Sequence, residues 1–442
     1  MKKLTILLFA LLCTTGIAGF AQSGYTPTGE NLLARERFQD EKFGIFIHWG
    51  LYALLGDGEW NMQVNGIKAD EYSLLARAFY PSKFSAAQWV EAIKGSGARY
   101  VTFTSRHHEG FSMFKSEASE YNVVDATPFG RDIVAELAQE CHRSGLDLHL
   151  YYSLVDWYRE DYWPLGQTGH ASGREGHGQW SDYLSFMKAQ LRELLTSYGE
   201  IGCIWFDGIW DKEEFPREEQ PRIWDLYGLY SLIHSIQPAC LVGNNHHITP
   251  FEGEDMQLFE RDLPGQNEAG LSGKSGVSTL PLETCQTMNG SWGYRITDLD
   301  YKSSDELITY LVRTAGMNAN FLLNIGPRAD GTLPDQALER LKDIGAWLEK
   351  NGESIYGTRG GFIEPQSWGV TTQKGSRLYV HILNLNEGEL KLAFGEHKLR
   401  SARVFGTGEK IRCRQDRTTG EVTLILKDVP QTVDYILEID FR

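Results

Sequence analysis

The chain has 442 residues, 41% of them hydrophobic and 23% charged, enough for one large domain and a smaller one. A formal net charge of −16 argues against a nucleic-acid partner, which requires a basic face. Six cysteines with no CxxC spacing point to small buried side chains rather than a disulfide framework or a cysteine zinc site.

Met1-Lys2-Lys3, the apolar run Leu4 to Phe20 and the small residues near Ala21 have the form of a secretory signal peptide cut before Gln22. Residues 1–21 are assigned to it, and the rest is expected to be exported, periplasmic or secreted. Leu12 before Cys13 is not the small residue a lipoprotein signal prefers. Cleavage removes Lys2 and Lys3, taking the charge from −16 to −18, and leaves an odd number of cysteines. No later stretch approaches the roughly 20 apolar residues of a membrane span.

From about residue 42 to 350, short apolar runs alternate with amphipathic helical patterns. The expected strands are Phe43–Trp49, Tyr100–Thr104, Leu146–Tyr152, Cys203–Asp207, Cys240–Asn244, Met256–Glu260, Leu282–Cys285 and Asn320–Asn324. The clearest helix is Ser181–Tyr198, with Tyr183, Leu184, Met187, Leu191, Leu194, Leu195 and Tyr198 on one face and Gly199 ending it. Ser303-Ser304-Asp305-Glu306 is a capping box for a second helix, and Pro334 opens a third presenting Leu338, Leu341, Ile344 and Leu348. Strands alternating with helices are parallel βα units, and this number of them over some 300 residues predicts an α/β fold, a (β/α)8-like barrel over residues 22–352. Helices after Asn244 and Glu260 are poorly marked, so that side of the barrel is expected to be irregular. The Gly-rich, charged stretch Tyr158 to Gln179 reads as a long lid or rim loop. Beyond Gly352 the runs Leu378–Leu385, Leu390–Phe394, Ala402–Phe405, Val422–Leu426 and Tyr435–Ile439 are short and separated by turn signals such as Asn386-Glu387-Gly388. They predict a C-terminal antiparallel β-sandwich over residues 353–442, without helices.

Chemistry in such barrels sits at the C-terminal strand ends. Those ends carry His48-Trp49-Gly50, Arg106-His107-His108-Glu109-Gly110, Trp157, Trp205-Phe206-Asp207 and Asn244-Asn245-His246-His247. Adjacent histidines on an extended strand point to opposite faces, so neither His-His pair chelates a metal by itself, and no metal site is expected. Neutral imidazoles and indole faces mixed with carboxylates suit a sugar, through its hydroxyls and its apolar ring face. Glycosidic cleavage needs two carboxyl groups. Asp207, held at the end of a buried strand, is one; the window from 259 to 283 offers Glu260, Asp262, Glu268 and Glu283 for the other.

Six stretches carry a resemblance to the α-L-fucosidases of glycoside hydrolase family 29. They are Lys42-Phe43-Gly44-Ile45-Phe46-Ile47-His48-Trp49-Gly50, Gly58-Glu59-Trp60, Arg106-His107-His108-Glu109-Gly110-Phe111, Trp205-Phe206-Asp207-Gly208, Ser291-Trp292-Gly293-Tyr294 and Asn320-Phe321-Leu322-Leu323-Asn324-Ile325-Gly326-Pro327. The resemblance implies a barrel followed by a β-sandwich, a cofactor-free retaining double displacement, and exo-acting release of L-fucose from a fucosylated oligosaccharide or glycan. It implies Asp207 as nucleophile and His48, Glu59, Trp60, His107, His108, Trp205 and Trp292 as the fucose pocket. It places the acid/base in a variable loop before Leu282, where close relatives carry Glu and this chain has Gln266, a residue that cannot cycle a proton. Glu268, two positions on, is the first candidate; Glu260 and Glu283 are its rivals. Gln266 also keeps open a catalytically weak fucose-binding protein, and a glycosidase of different sugar specificity is a further alternative.

Overall fold

The computed structural model describes residues 24–271, 276–384, 388–426 and 429–442. The signal-peptide assignment at residues 1–21 and the turn residues Asn386-Glu387 lie outside the described residues.

Eight parallel strands form one sheet: β1 (Phe43–Ile47), β2 (Tyr100–Arg106), β3 (Asp147–Ser153), β4 (Cys203–Asp207), β5 (Leu241–Asn245), β6 (Gln257–Glu260), β7 (Leu282–Thr287) and β8 (Ala319–Ile325). Their order is β5-β4-β3-β2-β1-β8-β7-β6, a curled barrel whose hydrogen-bonded ladder runs through every neighbour except β5 and β6. Across that seam Asp255, just before β6, supplies both kinds of bond. Its backbone N–H donates to Val242 O at 2.8 Å, and its carboxylate accepts from Val242 N at 2.8 Å. Arg35, His234 and the Tyr25 hydroxyl hold that carboxylate from the other side. Gly243 on β5 allows the approach, since a Cβ there would stand 3.0 Å from Met256 and 3.2 Å from Leu258.

Alternation along each strand sorts its side chains into two cores. Phe46, Tyr100, Tyr151, Cys203, Trp205, Leu241, Met256, Leu258, Cys285 and Leu322 fill the barrel interior. Phe43, Ile45, Ile47, Val101, Phe103, Ile204, Phe206 and Val242 face the helical ring. The helix Trp180–Ser197 buries Tyr183, Phe186, Met187, Leu191, Leu194 and Leu195. Gln190 is buried on the same face because Tyr152 donates to its carbonyl at 2.8 Å while its amide donates to Ser112 at 2.9 Å. The capping box at Ser303 and Glu306 forms at the start of Ser304–Gly316. Pro334 caps Asp335–Asn351, where Ala337 takes the buried place expected of Leu338, which is 39% exposed. No helix joins β5 to β6 or β6 to β7 among the described residues, which is the irregular side the sequence marked.

The C-terminal region has two antiparallel sheets, β13-β16-β11-β10-β9 and β12-β15-β14. Their strands are β9 (Arg359–Gly360), β10 (Gly369–Lys374), β11 (Arg377–Ile382), β12 (Glu389–Ala393), β13 (Leu399–Val404), β14 (Arg412–Gln415), β15 (Glu421–Ile425) and β16 (Tyr435–Phe441). Leu378, Val380, Leu392, Val422, Leu424, Leu437 and Ile439 form the core between the sheets. β10 packs on the barrel, with Val370 against Gly316, where a Cβ would stand only 2.4 Å away.

Candidate active site

A cavity of about 420 Å³ opens at the C-terminal ends of the strands, lined by Phe46, His48, Trp60, His107, His108, Tyr151, Trp205, Asp207, Trp210, Glu213, Asn245, His247, Glu260, Gly270, Leu271, Cys285 and Trp292.

Asp207 is the last residue of β4, and Gly208 follows at φ 103°, where a Cβ would stand 2.6 Å from Val155. Only glycine fits that turn, which fixes how the chain leaves the strand and where the carboxylate is presented. Asp207 Oδ2 accepts from Tyr151 OH at 2.9 Å. Its Oδ1 accepts from Trp210 Nε1 at 3.2 Å and from Asn245 Nδ2 at 3.4 Å. Burial raises this carboxyl above its ordinary range and the charge of Glu260 raises it further, while Tyr151, His107 and Trp210 pull it back.

Glu260 ends β6, on the far side of the open seam. Its Oε2 accepts from the same Asn245 Nδ2 at 2.9 Å and lies 3.7 Å from His247 Nε2. Burial raises its carboxyl too; Asn245, Arg261 and Trp292 favour the ionised form, and Glu59 opposes it. His247 and Arg261 sit in the left-handed region at φ 59° and 61°, a conformation costing about 1 kcal/mol for non-glycine residues.

Two histidines have their tautomers set from behind. Asn324 Nδ2 donates to Trp292 O at 2.7 Å, so its Oδ1 accepts from His48 Nδ1–H at 2.6 Å. Ser153 Oγ donates to Val155 O at 2.7 Å, so it accepts from His108 Nδ1–H, also at 2.7 Å. Burial, then neighbouring His107, holds both imidazoles well below the ordinary histidine value. Each is therefore neutral with the Nε2 lone pair available, an acceptor for a sugar hydroxyl. His108 Nε2 lies 3.6 Å from Asp207 Oδ2. Trp60 stacks on Trp210 at 5.7 Å, and Trp292 tilts over His48 at 5.2 Å.

Of the residues expected in the pocket, His48, Trp60, His107, His108, Trp205, Asp207 and Trp292 line it, and Glu59 does not. Glu59 is buried behind the wall, accepting from Gly293 N at 2.7 Å and Ser291 Oγ at 3.4 Å, so it ties the loop after β1 to the loop after β7. Among the acid candidates the lining includes Glu260 alone. Glu283 lies deeper in the barrel, accepting from Tyr100 OH at 2.7 Å and Trp205 Nε1 at 2.8 Å. Glu268 and Gln266 are exposed; the loop turns on Asp262, whose Oδ1 accepts from the backbone of Glu268 at 2.7 Å and Ala269 at 2.8 Å, and among the described residues of this loop Gly270 and Leu271 reach the cavity. Tyr151 and Trp210 escaped the sequence reading. Tyr151 could have been found by alternation, since it shares a face of β3 with His149 and Ser153, as Trp205 does with Asp207 on β4.

The family model for alpha-L-fucosidase matches residues 13–353. The chain belongs to the α-L-fucosidase family. It is 29% identical over 451 residues to the alpha-L-fucosidase of Dictyostelium discoideum, covering 92% of this chain and 91% of that one. It is 31% identical over 395 residues to the plasma alpha-L-fucosidase of Homo sapiens, covering 81% and 79%. Among solved structures, alpha-L-fucosidase isoenzyme 1 from Paenibacillus thiaminolyticus superposes with a TM-score of 0.81 at 30% identity, covering 93% of this chain and all of that one. A GH29 alpha-L-fucosidase from Bacteroides thetaiotaomicron, a trapped covalent intermediate with 2-fluoro-fucosyl fluoride in a glutamate-to-glutamine mutant, superposes at 0.79 with 26% identity, covering 95% and 97%. The chain is accordingly a glycoside hydrolase with α-L-fucosidase activity, and its substrate is a fucosylated glycan. In a fucosidase the neutral imidazoles and the indole faces have matching tasks: hydroxyls on one side, ring C–H and methyl on the other.

Proposed function

We propose that this fucosidase is an exo-acting retaining enzyme in which Asp207 attacks the anomeric carbon and Glu260, rather than Glu268, serves as acid/base. The observation that carries the assignment is the shared amide of Asn245. Two carboxyl oxygens that reach one nitrogen at 3.4 and 2.9 Å are closer than the roughly 6.5–9.5 Å that admits a water in inverting enzymes. Three donors converge on Asp207 and favour its charged, nucleophilic form. Glu260, raised by burial, keeps a proton for the departing oxygen and then takes one from the incoming water. With a carboxyl in this place, Gln266 no longer argues for a binding-only protein. The relative trapped as a covalent intermediate supports the same two-step course.

Asp207→Ala should lower kcat by about 10³-fold or more, with azide restoring turnover as a glycosyl azide; near-normal turnover would sink the assignment. Glu260→Ala should depress hydrolysis of a fucosyl disaccharide far more than that of an activated aryl fucoside, while Glu268→Ala leaves both close to wild type. The reverse pattern would move the acid/base to Glu268. Export is part of the proposal, and the mature protein from the medium or periplasm should begin at Gln22 on N-terminal sequencing.

A further inference from the structure

Asn245 has no role in the two-carboxyl scheme, yet it is placed where that scheme is most sensitive. It ends β5, at one edge of the open seam, and Glu260 ends β6 at the other. The backbone ladder is missing between these strands, so the Asn245–Glu260 contact spans the seam at the level of the chemistry. The side chain is 3% exposed and its Nδ2 touches both carboxyl groups.

We infer that Asn245 is a positioning residue whose amide serves both carboxyl groups, stabilising whichever bears the negative charge at each stage. The inference rests on the assignment of Glu260 as acid/base. Before attack the charge is on Asp207 and the proton on Glu260. When the Asp207 oxygen bonds to the anomeric carbon, the glycosidic bond breaks and its electron pair goes to the departing oxygen, which takes the Glu260 proton. Asp207 is now a neutral ester and Glu260 a carboxylate. Hydrolysis reverses both changes. One negative charge therefore crosses the pocket twice per turnover, and the two N–H bonds of one fixed amide face its two resting places without the site having to reorganise.

Several other groups bear on the same carboxyls. Tyr151, Trp210, His107, His108 and His247 face Asp207. Arg261, Trp292, Glu59, His247 and Cys285 face Glu260. His247 stands near both carboxyls, 3.7 Å from Glu260 Oε2, while Tyr151 and Trp210 donate to Asp207.

A donor to a carboxylate favours the ionised form, so losing it raises both carboxyls. The acid limb of the kcat/KM profile reports Asp207, which must be charged; the basic limb reports Glu260, which must be protonated. In Asn245→Leu, which keeps the branched outline of the side chain but has no donor, the basic limb on a fucosyl disaccharide should move up by about one pH unit. The acid limb should move up by less, because that contact is the longer one. KM and the inhibition constant of an iminocyclitol fucose analogue should change little beside kcat. Asn245→Ser, which keeps one donor, should show a smaller movement, and it decides the matter if the leucine variant does not fold by circular dichroism. Limbs unmoved from wild type in a folded variant overturn the inference. Glu260→Gln separates the two levels. If it abolishes the basic limb while Asn245→Leu leaves that limb in place, the shared-donor role fails and the acid/base assignment stands. If the basic limb survives in Glu260→Gln, the assignment falls and the inference with it.

Discussion

Ser153 shows how much one hydroxyl can decide. Its hydrogen is committed to Val155 O, so it can only accept from His108, and His108 can then present only a lone pair to the pocket. Ser153→Ala frees the imidazole to turn its other tautomer inward, as a donor beside Asp207. The loss of one neutral hydrogen bond to the sugar, about 0.5–1.5 kcal/mol, should raise KM by roughly 3–10-fold with kcat less affected. Imidazole ¹⁵N shifts should report the tautomer change; an unchanged tautomer with unchanged KM would show that Ser153 sets nothing. This logic was out of reach of the sequence. His48 and His108 were legible because each follows an apolar run that ends in a polar group, but which nitrogen carries hydrogen depends on Asn324 and Ser153, partners 276 and 45 residues distant. Glu268 was put ahead of Glu260 for a related reason: the choice between a loop position and a strand end eight residues apart turns on the loop's direction, and Asp262, with its bonds to Glu268 and Ala269, sets that direction.

At the scale of elements, β7 carries an acid into the barrel interior. Glu283 is pushed by burial to about 7 from an ordinary 4.5, against the donors Tyr100 and Trp205. The folded protein therefore binds a proton that the unfolded chain releases. Its stabilising effect is complete below about pH 4.5 and is lost as pH rises through about 7, an amount of about 3 kcal/mol over that window. Glu283→Gln cannot titrate, so urea midpoints measured from pH 4.5 to 8 should fall less steeply than those of wild type. Parallel slopes would mean that Glu283 stays charged. On the helical ring, Leu191→Ala in Trp180–Ser197 should cost about 2–5 kcal/mol through the cavity it leaves, read from the same midpoints. The elements themselves were the most legible part of the chain. Continuous apolar runs marked all eight strands to within one or two residues at most ends, because a strand covered on both faces has no polar side to blur it. Leu338 was misplaced on its helix because Ala337, a small residue one position earlier, meets the core in its stead.

At the scale of the whole molecule, a buried polar chain runs through the C-terminal region behind β10, the strand that packs on the barrel. Thr372 on β10 donates to Ser354 O at 2.6 Å and accepts from His381 Nε2 at 3.1 Å, while His381 Nδ1 donates to Asp434 at 2.8 Å. His381 thus links the Thr372 hydroxyl to the buried carboxyl of Asp434. Losing the carboxyl leaves a buried ring nitrogen without its partner, at a cost of about 1–3 kcal/mol, so Asp434→Ala should lower the melting temperature without changing kcat/KM, since none of these residues lines the pocket. A variant that loses activity while keeping its stability would tie the sandwich to catalysis directly. The open seam has its own consequence at this scale. Asp207 stands on β4, one strand from the β5 edge, and Glu260 stands on β6, the opposite edge of the same sheet. Their separation is set not by a backbone ladder but by the contacts that bridge the seam, Asp255 to Val242 and Asn245 to Glu260. A substitution that loosens either contact acts directly on the gap between the two carboxyls, whereas one beneath β1 or β8 lies across the ring from it.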